Sequence, residues 1–501
     1  MADTSPQRVY RAACPGCGAP VEFRSATSAF AVCSYCKSTV VRDGQTLSRI
    51  GKMAEAFEDY SPLQMMATGV AAGVPFTVVG RLQYRGETGT WTEWIAIDDA
   101  GTQAVLAEDN GSYVFSRPVD FGRAVPESDA LRVGGTTAAL NKSWSVASNV
   151  TASLISAQGE LPKLPALGTL FRMVELRSSD GEVLSIDYGT VPPGVSRGKA
   201  VVLENLQMKG LREGSAQEQK GRQFACPNCG APVEVTLGTT KAVTCRSCRS
   251  IIDLSQGIGG ELRHAAQDER VEPIIPLGTP GKLQGIDWQV VGYQHRMGHE
   301  AGDDESFGWE EYLLYNRSRG FAFLVDSTDG WSVVRPTTGA PSLSPNKQSA
   351  VYLGEGYPLL YAYEAETTYV AGEFYWPVQR GQKTYNRDFA KGANLLSMEE
   401  TPREVTWSSG SKIASDTVAA AFKLQDKGGM MKRGDAGPTA HAPGCAGMGC
   451  GSVVLLFIIV LVILLAVKSC IDDSSQSGYY GGTPRTSGGS YGGYSGGGGH
   501  K

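Results

Sequence analysis

The feature that most constrains this chain is a group of four cysteines in two CxxC pairs, which occurs twice with the same spacing. The two groups are Cys14, Cys17, Cys33 and Cys36, then Cys226, Cys229, Cys245 and Cys248. A CxxC pair places two thiolates on one tight turn, and two such turns complete a tetrahedron around a metal ion. The sequence therefore predicts two zinc ribbons with Zn²⁺ as cofactor, two structural ions in all. A redox-active CxxC pair and an iron site are the alternatives for the same residues.

Four protein ligands leave no coordination position for a substrate, so both metal sites are expected to be structural. Some zinc ribbons bind nucleic acid, and the second one carries Lys241, Arg246 and Arg249. However, the chain has a formal net charge of -5 and a pI near 5.7, which gives it no general attraction to phosphate. We therefore interpret these cations as solvated surface charge and do not expect nucleic acid as a partner.

The similarity between the two halves continues beyond the cysteines, with a period of about 210 residues. FTVVG at 76–80 recurs as WQVVG at 288–292, and WTEW at 91–94 recurs as WEEY at 309–312. So long a period indicates duplication of a whole two-module unit. Within each large module, short runs of β-branched and aromatic residues are separated by turn formers, which predicts antiparallel strands in a barrel or sandwich.

The predicted fold class is mostly β, with two zinc ribbons alternating with two antiparallel barrel- or sandwich-like modules and one C-terminal transmembrane helix. Short connector helices are expected near 52–60 and 261–269. The predicted boundaries are zinc ribbon 10–45, β module 58–209, zinc ribbon 221–257, β module 271–413, linker 414–450, transmembrane helix 451–468, and a Gly/Ser/Tyr-rich disordered tail 469–501.

The transmembrane prediction rests on the uncharged run SVVLLFIIVLVILLAV at 452–467. Its length is at the short end of the range for a spanning helix. A buried core helix would usually keep a polar face, whereas this run is apolar all round. Basic residues before the run and two acids after it favour a cytoplasmic N-terminal bulk. The expected localisation is a single-pass membrane protein with a protein partner at the membrane.

Few residues form a recognisable catalytic pattern. GVSRG at 194–198 matches GxSxG, but Pro192 and Pro193 precede it where a nucleophile elbow requires a buried strand, so we regard the match as coincidence. His295 and His299 lie in or beside an acidic loop predicted at 297–307. This cluster could bind a metal, although a solvated loop is the simpler interpretation.

Glu93 and Glu311 occupy the same place in the two copies of the duplicated unit. On a strand, each would share a face with the tryptophan two residues earlier. One interpretation is that these acids pair with a basic group or ligand beside an aromatic-lined groove. The alternative is an acid on the solvated face of a half-buried strand.

The second module contains GEFYW at 372–376, LSME at 396–399 and EVTWS at 404–408. Together with WEEYLLY at 309–315, these motifs resemble the DUF4178 family of bacterial proteins. The first module resembles the family only loosely, because Gly159 and Glu160 stand there without the aromatic run. The resemblance implies no catalytic residues, and it implies a setting near membrane-stress and polyamine-related functions.

The expected function is a non-enzymatic, membrane-tethered binding or scaffold protein in bacterial membrane-stress or envelope-associated processes. An enzyme with a carboxylate-based site on the second β module and a nucleic-acid-binding zinc-ribbon protein remain alternatives. The sequence does not identify a small-molecule ligand. The candidate binding residues are Glu93, Trp309, Glu311, Glu373, Tyr375 and Trp376.

Overall fold

The structure is a computed structural model, and its described part is mostly β, with 59% of residues in strands and 6% in helices. This confirms the predicted mostly β fold class. The described residues are 10–24, 28–43, 46–52, 61–86, 90–109, 112–162, 166–212, 222–238, 240–254, 263–267, 271–300, 306–317, 319–401 and 404–431.

The first unit contains a small ribbon followed by a barrel. Two 3₁₀ helices, Ser128–Ala130 and Leu203–Leu206, interrupt its strands. Its described strands are β1 (Tyr10–Ala13), β2 (Pro20–Phe23), β3 (Phe30–Val32), β4 (Ser38–Asp43), β5 (Thr46–Lys52), β6 (Thr68–Ala71), β7 (Val74–Gly86), β8 (Thr90–Asp98), β9 (Gln103–Asp109), β10 (Ser112–Pro118), β11 (Thr136–Ala139), β12 (Lys142–Leu161), β13 (Leu170–Arg177), β14 (Glu182–Asp187) and β15 (Gly194–Val201).

The second unit repeats this order of elements and ends in short helices. Its described strands are β16 (Arg222–Ala225), β17 (Pro232–Val235), β18 (Ala242–Thr244), β19 (Ile251–Asp253), β20 (His264–Ala265), β21 (Pro280–Leu283), β22 (Ile286–Glu300), β23 (Ser306–Asn316), β24 (Gly320–Ser327), β25 (Gly330–Pro336), β26 (Ser342–Leu343), β27 (Ser349–Tyr352), β28 (Glu355–Phe374), β29 (Lys383–Lys391), β30 (Asn394–Glu400) and β31 (Val405–Ile413).

Each large module is a closed antiparallel barrel. In the first, the order β7-β8-β9-β10-β15-β14-β13-β12 is closed by pairing between β12 and β7. In the second, the order β22-β23-β24-β25-β31-β30-β29-β28 is closed by pairing between β28 and β22. Closure removes the exposed edges that an open sheet would leave, so of the two predicted architectures the barrel is the one adopted.

The long strands β12 and β28 connect each barrel to its ribbon. Each is 20 residues long, and its C-terminal end extends past the barrel to pair with ribbon strand β3 or β18. Just before this pairing, Gly159 has φ +75° and Gly372 has φ +91°. A Cβ at Gly372 would lie 2.3 Å from the Val291 carbonyl oxygen, so only glycine fits where the barrel closes.

The second barrel buries apolar side chains on both faces of its sheet. Trp309, Leu313 and Phe323 belong to the inner cluster, whereas the neighbouring Tyr312 and Leu314 belong to an outer cluster, as strand alternation requires. The outer cluster is covered by helices α1 (Ser415–Ala421) and α2 (Gly428–Met431), with a 3₁₀ turn at Gln425–Lys427 between them.

These helices lie where the sequence predicts a linker at 414–450. Val418 and Met431 have no exposed surface and Phe422 is 2% exposed, so the start of this stretch packs on the barrel. The Trp331 indole nitrogen also donates to the Met431 carbonyl oxygen at 2.9 Å. Seven residues are too few for a clear helical period, which explains why the pattern did not predict α1.

Three other local expectations differ from the structure. Lys52 ends strand β5 and His264 lies in β20, so the described parts of the two expected connector helices are not helical. His299, which falls within the loop predicted at 297–307, lies on strand β22, as does His295, whose Nδ1 is 2.6 Å from Thr368 Oγ1. Strands β22 and β23 of this hairpin extend further than predicted, since they pair in register as far as His299 and Ser306.

No helix in the described residues is both long enough and apolar enough to cross a membrane. This finding contradicts the predicted localisation as a single-pass membrane protein with its N-terminal bulk in the cytoplasm. The prediction rested on the length, apolar character and flanking charges of one stretch of sequence, and not on any helix of the described residues. The predicted span at 451–468 and the tail at 469–501 lie outside the described residues.

Candidate metal centres and a buried polar cluster

The eight predicted metal ligands form two compact groups of four thiols. Within each group, all four sulfur atoms lie within 4.8 Å of one another. Cys14 Sγ is 3.7 Å from Cys36 Sγ in the first group, and Cys226 Sγ is 3.6 Å from Cys248 Sγ in the second. All eight cysteines are free thiols, so the structure brings together the ligand sets that the spacing predicted.

The turns that carry the thiols have the same backbone geometry in both copies. In the first CxxC turn of each ribbon, the glycine after the second cysteine has a positive φ, +78° at Gly18 and +74° at Gly230. Its amide donates to the carbonyl oxygen of the first cysteine, for example from Gly18 to Cys14 at 2.8 Å. In the second turn, Lys37 and Arg249 occupy the same left-handed region. These turns point all four sulfurs inward.

The sulfur positions fit a tetrahedral zinc ion. A Zn–S bond of about 2.3 Å in a tetrahedron requires sulfur atoms about 3.8 Å apart. Two sulfur pairs in each group are 3.6 to 3.7 Å apart, which is too long for a disulfide and correct for thiolates around one metal. Each group could therefore hold one zinc ion.

The second ribbon is joined to its barrel by Glu373, the acid of the GEFYW motif. Glu373 Oε1 accepts hydrogen bonds from the amide and hydroxyl of Thr236 at 2.9 and 2.5 Å. Oε2 accepts from the Leu237 amide at 3.0 Å and from the Thr240 hydroxyl at 2.6 Å. Because Glu373 is on β28 and its donors are on the ribbon, this carboxylate joins the two domains.

The first unit has the same connection. Glu160 Oε2 accepts from the Arg24 amide of the first ribbon at 2.7 Å. Glu160 follows Gly159 just as Glu373 follows Gly372, and each pair lies at the end of the long barrel strand. The Gly-Glu pair that both copies retain therefore has a structural task. The glycine permits barrel closure, and the glutamate holds the ribbon.

The aromatic residues of the GEFYW motif fill the interior of the second barrel near the ribbon. Tyr375 is 5% exposed and Trp376 is 1% exposed. The ring centroids of Tyr375 and Phe321 are 4.3 Å apart, and those of Trp376 and Phe323 are 5.9 Å apart. These two candidate binding residues therefore line a packed core. The sequence did not predict this, because strand alternation does not reveal which face of a barrel strand is inside.

A cluster of charged and polar side chains lies inside the second barrel. Arg296 Nη1 is 3.3 Å from Glu399 Oε2 and 3.7 Å from Glu311 Oε1. Glu311 also accepts hydrogen bonds at 2.6 Å from Trp309 Nε1 and from Gln294 Nε2. The Arg296 guanidinium lies over the Trp309 ring, 5.5 Å from its centroid. Glu311 thus pairs with a basic group beside an aromatic ring, but it is 1% exposed.

A third carboxylate, Asp388, completes this cluster. It accepts hydrogen bonds from the Tyr363 hydroxyl at 2.8 Å and from the Ser397 hydroxyl at 2.5 Å. Burial raises the pKa of Asp388 to about 8 and the pKa of Glu311 to about 7, although Arg296 opposes both shifts. One guanidinium cannot neutralise three buried carboxylates, so the fold favours the protonated form of part of this cluster.

The first barrel keeps the acids of this cluster but not its arginine. In register, Glu93, Glu175 and Asp187 correspond to Glu311, Asp388 and Glu399. Tyr84 pairs with Trp91 in register as Arg296 pairs with Trp309, and the Tyr84 ring stacks on Trp91 with centroids 5.4 Å apart. Glu93 is 8% exposed, and Trp91 Nε1 lies 3.4 Å from its Oε1. A tyrosine thus replaces the arginine of the second cluster, so the duplicated barrels have different interiors.

Comparison with known protein families identifies both large modules. The model of the family described as "Domain of unknown function (DUF4178)" matches residues 67–202 and 276–415, together more than half of the chain. The chain belongs to the DUF4178 family. Each of its two DUF4178 domains coincides with one eight-stranded barrel, so the resemblance seen clearly in the second module holds for the first as well. No curated protein and no solved structure matches the chain.

Proposed function

We propose that this DUF4178 protein is a non-enzymatic binding scaffold in which zinc-loaded ribbons, fixed rigidly to the barrels, contact a protein partner. The observation that carries the proposal is the double attachment of the second ribbon. It pairs with barrel strand β28, and its loop donates four hydrogen bonds to Glu373. A ribbon held in this way presents its turns in one orientation, which lowers the entropic cost of binding.

The metal centres support a structural role for zinc. Four thiolates per site leave no open position for water or substrate. The enzyme alternative would use Glu311 or Glu373 of the second β module as an acid or base, and the contacts of these two acids do not favour catalysis either. Both carboxylate oxygens of Glu311 and of Glu373 accept hydrogen bonds, and the residues are 1% and 9% exposed. A general acid or base must reach its substrate directly or through one water.

Tyr35 is the best candidate for a direct contact with a partner. It lies between Cys33 and Cys36 on a ribbon turn and is 73% exposed. Tyrosine is enriched among the residues that dominate binding energy at protein interfaces, and a rigid metal-bound turn is a favourable place to present one. The corresponding residue of the second ribbon is Ser247, so the two ribbons would differ in affinity for the same partner.

The test compares partners captured by the zinc-loaded full-length chain with those captured by two exposed-tyrosine variants. Tyr35→Ala should reduce recovery of a specific protein partner, measured by quantitative mass spectrometry after affinity capture. Tyr385→Ala is the matched control, because Tyr385 is 61% exposed but lies on barrel strand β29. Identical partner recovery by wild type and Tyr35→Ala would refute a partner contact through the first ribbon.

A further inference from the structure

The first barrel has a shallow groove of about 440 Å³ on its outer face. Its floor is apolar and is formed by Phe115 and Val119 with Val201 and Leu206. Its rim is charged. The charged residues that line it are Arg117, Glu182, Arg197 and Lys199.

The rim carries more positive than negative charge. Glu182 contacts three cations, with its oxygens 2.6 Å from Lys142 Nζ, 2.6 Å from Arg197 Nη2 and 3.6 Å from Lys199 Nζ. Burial alone would raise the pKa of Glu182, but the hydrogen bonds from Lys142 and Arg197 outweigh it and hold the pKa below its usual value. This carboxylate is therefore ionised at neutral pH.

Two further acids contact these cations. Lys142 also pairs with Asp180, and Arg117 Nη1 is 2.9 Å from Asp98 Oδ2. Three cations and one carboxylate line the groove itself. When Lys142, Asp180 and Asp98, which contact these residues, are included, four cations face three carboxylates, which leaves one formal positive charge in excess among the residues named. Lys199 is the cation least engaged, because its side chain is 63% exposed and its contact with Glu182 is the longest.

The second barrel has the same fold at this place but keeps only one of the four groove-lining charges, Arg335 at the position of Arg117. The register pair Glu182–Lys199 of the first barrel corresponds to Asn394–Ser411 of the second. Likewise, Arg197 pairs with Arg117, whereas the residue paired with Arg335 in the second barrel is Ser409. The barrel therefore forms without this cation cluster, and fold alone does not explain its presence.

We propose that the groove on the first barrel binds a fatty carboxylate, with its aliphatic chain along Phe115, Val119 and Leu206 and its head group beside Lys199 and Arg197. The apolar floor offers an aliphatic chain a dry surface but offers few partners to a sugar or nucleotide. The single excess positive charge matches a head group with one negative charge. This inference does not depend on the proposed role of the ribbons.

The test uses decanoate as the probe and 1-decanol as its uncharged control, with binding to the zinc-loaded full-length chain measured by calorimetry. Decanoate should bind more tightly than decanol. Lys199→Met, which keeps the aliphatic stem, should weaken decanoate binding about tenfold because one charged contact is lost, and it should leave decanol binding unchanged. Lys282→Met is the control, because Lys282 is an exposed lysine on strand β21 of the second unit.

A decanoate derivative with a photoreactive group at the end of its chain locates the site. The label is expected on peptides that contain 115–119 or 201–206. The proposal is overturned if decanoate does not bind, if decanol binds equally well, if Lys199→Met binds decanoate as wild type does, or if the label falls on other peptides.

Discussion

Replacing Glu373 by Gln should loosen the second ribbon from its barrel while leaving the first ribbon unchanged. The carboxylate accepts four hydrogen bonds from Thr236, Leu237 and Thr240. Glutamine keeps only one acceptor oxygen, and its amide group would face the remaining donors. Thr240 can rotate and accept from that amide, but the Leu237 amide loses its partner. The cost of an unsatisfied buried donor together with the lost charge is about 2–3 kcal/mol.

Hydrogen exchange monitored by mass spectrometry measures this cost locally. Since about 1.4 kcal/mol corresponds to a factor of ten, amides of the second ribbon should exchange about 30- to 140-fold faster in Glu373→Gln. Glu366→Gln is the matched control on the same strand, because the Glu366 side chain is 45% exposed. Unchanged exchange in the second ribbon, or an equal increase in the first ribbon, would show that Glu373 does not hold the two domains together.

Two further predictions concern the second barrel. Gly372→Ala should destabilise the second unit by at least about 2 kcal/mol, since it combines a positive φ with a Cβ 2.3 Å from the Val291 oxygen. Chemical denaturation should show no such loss for Gly356→Ala, where a Cβ would meet no atom within 4 Å. Asp388→Asn should reduce the pH dependence of stability. Burial raises the folded-state pKa from 3.8 to about 8, so the folded state binds the extra proton and wild type loses stability as pH rises between these values. Denaturation midpoints at pH 5 and pH 8 should therefore differ less in Asp388→Asn than in wild type, and an equal difference would refute the protonated cluster.

Much of the architecture follows from local sequence patterns. The CxxC spacing identifies the ligand sets because the chemistry of four thiolates tolerates few arrangements. Strand alternation and turn residues likewise identify runs such as 91–97 as strands, and this run lies within β8. The internal repeat shows that both halves share one fold, which the two DUF4178 domains confirm.

The roles of the candidate site residues depend on contacts distant in sequence. Glu373 holds residues more than 130 positions earlier in the chain, and no local pattern contains that pairing. Tyr375 and Trp376 directly follow β28 and are buried in the core. A period of two residues in the sequence does not say which side of a strand becomes the interior. The difference between the barrel interiors could have been found by aligning the two copies of the sequence, because Arg296 aligns with Tyr84.

We propose that each set of four cysteines holds one structural zinc ion. The most direct test of this is the metal content of the full-length protein, purified without added metal and measured by inductively coupled plasma mass spectrometry. Two zinc ions per chain are expected in wild type, and one in the double variant Cys226→Ser with Cys229→Ser. Amide hydrogen exchange in the second ribbon of that variant should also be faster than in wild type. Wild-type protein that folds with no bound metal, or that contains iron in place of zinc, would contradict the account.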